Sequence, residues 1–140
     1  MANQETVQEA WIAYLKSQTT LVALLDNSLQ IKQLQWQGDE FLYPAVRVSV
    51  DYFPSVNGCG PDDIDVFIDV FSEEKSAKEV LHISSVLQTI LQKKAFIQNG
   101  IQFPMVWVKK IDKPVRDIYA WKSTLNIKAC LLYTSDAADE

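Results

Sequence analysis

Two stretches decide the fold: Ala45-Val46-Arg47-Val48-Ser49-Val50-Asp51-Tyr52-Phe53 and, ten residues later, Ile64-Asp65-Val66-Phe67-Ile68-Asp69-Val70-Phe71. In the first, Val46, Val48, Val50 and Tyr52 alternate with Arg47, Ser49 and Asp51. That is the period of two expected of a half-buried strand, because successive side chains leave opposite faces. In the second, Ile64, Val66, Ile68 and Val70 alternate with Asp65, Phe67, Asp69 and Phe71. The linking residues 54–63, Pro-Ser-Val-Asn-Gly-Cys-Gly-Pro-Asp-Asp, are rich in breakers of regular structure. An antiparallel hairpin with a flap at its tip is expected. Its second strand is apolar on both sides, since Phe67 and Phe71 share the face opposite the aliphatic row. Such a strand is covered on both sides, either within its own domain or by another subunit.

Working outward, residues 4–16 read as an amphipathic helix, with Val7, Trp11, Tyr14 and Leu15 at three- and four-residue steps. Thr20 caps a short helical turn over residues 21–25, Asp26-Asn27 turns the chain, and residues 29–37 read as a strand. Downstream, residues 76–94 form a second long helix. Its apolar stripe is Val80, Ile83, Leu87, Ile90 and Leu91, its capping box Ser76 with Glu79, and Lys93-Lys94 suit its negative end. Asn99-Gly100 signals a tight turn. Residues 105–111 and 119–128 then read as a last pair of strands, joined by a loop around Pro114. The expected fold is α+β: a mostly antiparallel sheet of about five strands, with two main helices packed on one face.

A chain of 140 residues, 48% hydrophobic and 22% charged, makes one domain with a real core. It has no apolar run approaching the ~20 residues of a membrane span, and residues 1–5 lack the features of an export signal. No membrane partner is expected. The net charge of −5 argues against a nucleic-acid-binding surface spread over the whole chain. Lys109, Lys110, Lys113, Arg116 and Lys122 read as a solvated face. The closing string CLLYTSDAADE, from Cys130 to Glu140, breaks the preceding pattern, and it resembles the conceptual translation of a sequencing adapter. On that reading residues 1–129 are the domain and 130–140 a foreign or disordered tail. Without Asp136, Asp139 and Glu140, fifteen carboxylates against thirteen cations leave a charge of −2.

Chemistry is sparse. His82 lies beside the apolar stripe of the second long helix and reads as a partly buried histidine satisfying local hydrogen bonds. Cys59 and Cys130 have no metal or redox spacing, and Gly58-Cys59-Gly60 is followed by neither the lysine nor the helix of a phosphate cradle. Asp65 and Asp69 share a strand face but stand ~13 Å apart, too far for one metal ion or an acid/base pair. No catalytic, metal or cofactor-binding residue is assigned, and no enzyme is expected. The aromatics are more telling. Trp11, Trp36, Trp107 and Trp121, with Tyr52, Phe67, Phe71 and Tyr119, exceed what one small core needs.

One resemblance rests on order rather than on an invariant motif. The strand at Tyr43-Pro44-Ala45-Val46-Arg47-Val48-Ser49-Val50, the acidic flap, the strand at Ile64-Asp65-Val66-Phe67-Ile68-Asp69-Val70-Phe71 and the helix over residues 78–91 come first. The closing strand Ala120-Trp121-Lys122-Ser123-Thr124-Leu125-Asn126-Ile127 completes the course. This order resembles the tail-terminator family of siphophages and myophages, and the related short phage tail-completion proteins, over residues 5–129. The resemblance implies a virion protein of the tail or neck, made in the host cytoplasm. It would form a homo-oligomeric ring, commonly a hexamer, that sits on the last ring of tail-tube protein, stops polymerisation and meets a head-completion or neck protein. DNA would only pass through its lumen. Phe67, Phe71 and Trp121, with Asn57, Gly58 and Gly60 of the flap, are then candidates for the subunit or tube interface. Asp62, Asp63 and Asp65 are candidates for an acidic lumen that keeps DNA from sticking. Residues 29–37 have no counterpart in that pattern.

Other readings compete. A head-tail connector or stopper is another ring of the same machine, and a tail-tube protein would carry a longer sheet and a stacking loop. A small cytosolic interaction or ligand-binding module would need a convergent polar pocket. Mass in solution separates a closed ring from a monomeric module.

Overall fold

The computed structural model describes residues 3–25, 30–33, 43–54, 62–116 and 120–133. The chain opens on α1 (Gln4–Lys16), α2 (Thr19–Leu25) and a three-residue strand β1 (Ile31–Gln33). The expected hairpin strands follow as β2 (Ala45–Phe53) and β3 (Asp62–Ser72), then α3 (Lys78–Leu91). The last third holds β4 (Lys94–Gln98), β5 (Ile101–Ile111), β6 (Val115–Arg116) and β7 (Trp121–Tyr133). Among the described residues these seven strands form one sheet in the order β1-β2-β3-β7-β5-β4, with β6 paired to β7.

This overturns the expectation of about five mostly antiparallel strands under two helices. The sheet is mixed, because Ile31 pairs with Val46 and Gln33 with Val48 in parallel. A side-chain pattern marks a strand but carries no information on its direction, so the parallel pair was invisible. The additional strand β4 arises where a longer helix was expected. The α3 helix ends at Leu91, Lys93 takes a positive φ of 57°, and the chain leaves as a strand. Asn99 and Gly100, at φ 55° and 78°, then make the hairpin turn to β5, the conformation for which Asn-Gly is favoured. Pro104 hid the start of β5. It sits at a register shift between Gln102 and Met105, where a strand tolerates a residue without an N–H.

Local signals account for the helices. Asn3 accepts from the Thr6 backbone at 2.9 Å, and Thr6 Oγ1 accepts in turn from the Asn3 N–H, a reciprocal cap on α1. The capping box expected at Ser76 and Glu79 does not form. The N-cap of α3 is Ala77 with no side-chain bond, because Glu79 is engaged by Ser72 Oγ at 2.5 Å. Ser72 is fully buried at the end of β3, so that bond ties the start of α3 to the strand before it.

All three helices lie on one face of the sheet. Val7, Trp11 and Leu15 of α1, Leu21 and Leu25 of α2, and Val80, Ile83, Leu87 and Leu91 of α3 join Val46, Val48, Ile64, Val66, Ile68 and Val70 in one core. Each such side chain, fully buried, contributes roughly 1.5–3 kcal/mol. An aromatic cluster pins the β4–β5 hairpin to α1. Trp11 meets Phe96 and Phe103 edge-on at 5.3 and 5.7 Å, and Tyr14 stacks on Phe96 at 3.7 Å.

The strand expected to stop near residue 128 runs through Tyr133. Cys130 pairs with Asp63 and Met105, Leu131 pairs with Asp62, and Leu131 is buried. Residues 134–140 lie outside the described residues, as do most of the 29–37 strand and the flap residues Asn57, Gly58 and Gly60.

Candidate assembly surface

Two of the expected interface residues, Phe67 and Phe71, fall on the sheet face opposite the helices. Register assigns it. Antiparallel partners share a face, so Phe71 lines up with Ala45 and Lys122, and Asp69 with Arg47 and Thr124. Phe67 lines up with Ser49 and Asn126, Asp65 with Asp51 and Lys128, and Asp63 with Phe53 and Cys130. On β5 the same rows continue to Lys110, Trp107 and Met105. This outer face is thus a ladder of aromatic and charged rungs, and among the described residues no helix covers it.

Its charges are largely internally compensated. Lys128 Nζ stands 2.9 Å from Asp65 Oδ1. Thr124 Oγ1 donates to Asp69 Oδ1 at 2.7 Å, and Lys122 Nζ lies 3.8 Å from the other oxygen of Asp69. The same ammonium sits 5.9 Å from the Phe71 ring, within cation–π range. Phe67 and Phe71 are half-buried in this lattice. Arg47 is sunk at its base, with Nη1 donating to the carbonyls of Gln30 and Val46 at 3.0 and 3.1 Å. Burial pulls its guanidinium below the ordinary arginine range, opposed by Tyr43.

The nominated residues do not form one patch. Phe67 and Phe71 share the outer face. Trp121 pairs with buried Ser72 and packs against the core on the helix side, with the Arg116 guanidinium 5.8 Å from its ring. Of the three candidate acids, Asp65 is held by Lys128, and Asp62 accepts the hydroxyl of Tyr52. Asp63 is exposed. Burial first, and the bond to Asp62 second, hold that tyrosine hydroxyl protonated above its ordinary range.

Sequence reasoning missed a set of exposed apolar side chains near one end of this face. Phe53, Met105, Trp107 and Leu132 are 50%, 59%, 39% and 40% exposed, and Ile97 is 62% exposed beside Gln102. Trp107 and Met105 stood in a recognised strand, but the register shift at Pro104 hides their phase from simple alternation. His82, expected to be partly buried, is exposed on α3, and Cys130 is half-buried in β7. Among the described residues no group of three His, Cys, Asp or Glu is placed to hold a metal ion. No described helix is long and apolar enough to cross a membrane.

Sheet, helices and outer face together define the class of domain: a seven-stranded mixed sheet with three helices on one side and an aromatic and charged ladder on the other. The same fold occurs in a solved structure titled "Virion of native gene transfer agent (GTA) particle". The two chains superpose with a TM-score of 0.69 over 89% of this chain and 92% of that one, at 14% identity. No protein-family model matches the chain, and no curated protein matches it by sequence.

Proposed function

We propose that this chain is a structural subunit of a phage-like particle, and within it a tail-terminator-type ring that closes the tail tube and joins it to the head or neck. The observation that carries the reading is the extent of the fold likeness. Nearly all of this chain corresponds to nearly all of a chain from a gene transfer agent virion, so the shared unit is the whole domain in both. The order of strand, flap, strand and helix in residues 43–91 supports the finer assignment, as does an outer face built of aromatics and paired charges. A sheet whose edges and outer face have no cover among the described residues gains from closure into a ring, where neighbours occupy them. Of the proposed lumen acids, Asp65 is compensated by Lys128 and Asp62 accepts the Tyr52 hydroxyl.

The test is assembly. The purified chain is expected to form a closed ring by native mass spectrometry, and to halt elongation when added to polymerising tail-tube subunits. Binding to the head side alone, with tube growth unaffected, would favour a connector or stopper. A monomer that neither binds tube ends nor stops growth would remove the assembly reading.

A further inference from the structure

The two lateral sides of the sheet are chemically different at one level along the strands. On the β2–β3 side stand Asp51 and Asp63, with Phe53 beside them. On the β4 side stand Lys93 and Lys94, with Met105 and Trp107 beside them. Register ties these groups into neighbouring rows. Phe53, Asp63, Cys130 and Met105 are successive partners on the outer face, and Lys94 pairs with buried Val106, next along β5, so it leaves the edge strand toward the helix side. Three strand intervals separate Asp63 from Lys94, ~14 Å in the plane of the sheet.

Asp51, Asp63, Lys93 and Lys94 are all exposed, and among the described residues none has an ion-pair partner. In the middle of the outer face, Asp65 and Asp69 each face a lysine. Charge is therefore neutralised at the centre and left over, with opposite signs, at the two sides. The leftover charges coincide with the leftover apolar surface, Phe53 on one side and Met105 and Trp107 on the other. The strand β1 covers only Val46–Val48 of β2, so among the described residues no strand lies beyond Asp51 and Phe53.

We infer that the β4 side of one copy docks on the β2–β3 side of a second copy, with Lys93 and Lys94 against Asp51 and Asp63. This rests on the ring reading above and names its subunit contact. Complementarity selects the occupant and the symmetry. A two-fold pairing of like sides would set lysine against lysine or aspartate against aspartate. A head-to-tail rotation sets unlike charges together and buries Phe53 with Met105 and Trp107. Repeated head-to-tail contacts close as a ring when the rotation divides a full turn.

The experiment compares the wild-type chain with two charge-reversed variants, Lys93→Glu/Lys94→Glu and Asp51→Lys/Asp63→Lys, by native mass spectrometry and sedimentation over a concentration series. All four positions are exposed, and thermal unfolding checks that each variant is folded. Each variant alone is expected to associate at least ~100-fold more weakly, since it sets like charges face to face. An equimolar mixture is expected to recover the wild-type assembly, because every contact between unlike variants is attractive again. A wild-type ring that both variants preserve would overturn this contact and leave the ring reading standing. Loss in each variant without recovery on mixing would overturn the pairing of these charges. A wild-type chain monomeric at all concentrations would remove the ring reading and this contact together.

Discussion

Ile68 and Phe67 are neighbours in β3 and leave opposite faces of the sheet. The isoleucine is fully buried among helices. The phenylalanine lies half-buried between Ser49 and Asn126, on a face that no described helix covers. The helix side of the sheet is held by dispersion and the hydrophobic effect, and its tolerance is set by volume. The outer side is held by the Lys128–Asp65 and Lys122–Asp69 pairs, the Thr124-to-Asp69 bond and the Phe71 ring beside the Lys122 ammonium. It is too polar for a core and too apolar for a plain solvated surface, as an interface requires. In the proposed ring, the difference separates what makes the domain fold from what would meet a neighbour.

The largest break on the helix side is expected from Trp11→Ala. This removes the ring that Phe96 and Phe103 meet edge-on, and is expected to cost about 3–5 kcal/mol in chemical denaturation. A direct contrast of the faces comes next. Ile68→Ala is expected to cost about 2–5 kcal/mol. Phe67→Ala, starting half-exposed, is expected to cost only about 1 kcal/mol in the isolated subunit. Equal losses would erase the distinction between the faces, whereas a loss of assembly confined to Phe67→Ala would sharpen it.

Arg47 is the place where the outer face behaves like an interior. Arg47→Met strands the Gln30 carbonyl that Nη1 serves, and about 1–3 kcal/mol is expected to be lost. The loss should be read out as faster amide exchange in β1, the strand that follows Gln30. Unchanged protection there would mean that β1 is held by its ladder to β2 alone.

The smallest expected effect is in alkali. The Tyr52 hydroxyl is kept protonated in the fold by burial and by Asp62. Its contribution is therefore intact below the ordinary tyrosine pKa of ~10, and is lost as pH rises above it, where the unfolded chain ionises first. Burial pushes Tyr14 in the same direction. Urea midpoints across that range should fall with pH in the parent chain and fall less steeply in Tyr52→Phe. Parallel slopes would assign the alkaline loss to other groups.

Much of this was legible in the residues. Val46, Val48, Val50, Ile64, Val66, Ile68 and Val70 announced two strands and which of their sides is core. Val80, Ile83, Leu87 and Leu91 announced the face of α3. The outer-face position of Phe67 and Phe71 followed from the same alternation. Trp121 has the parity of Leu125 and Ile127, the core row of β7, so its helix-side position also follows from alternation, and its nomination for the outer interface went against that pattern. Met105 and Trp107 were hidden by the register shift at Pro104.

What the sequence determined by itself, then, was local: period two makes strands, period 3.6 makes helix stripes, and Asn99-Gly100 makes the turn that its positive φ angles demand. What only the tertiary structure decided was adjacency and direction. β7 lies between β3 and β5, β1 runs parallel to β2, and β4 adds an edge where a longer helix had been expected. Those choices are made by backbone partners far apart in the chain, whose hydrogen bonds leave no periodic trace in either strand. The same pairing sets aspartates and lysines at opposite sides of one sheet, which is why the proposed subunit contact is visible in the fold and absent from the sequence.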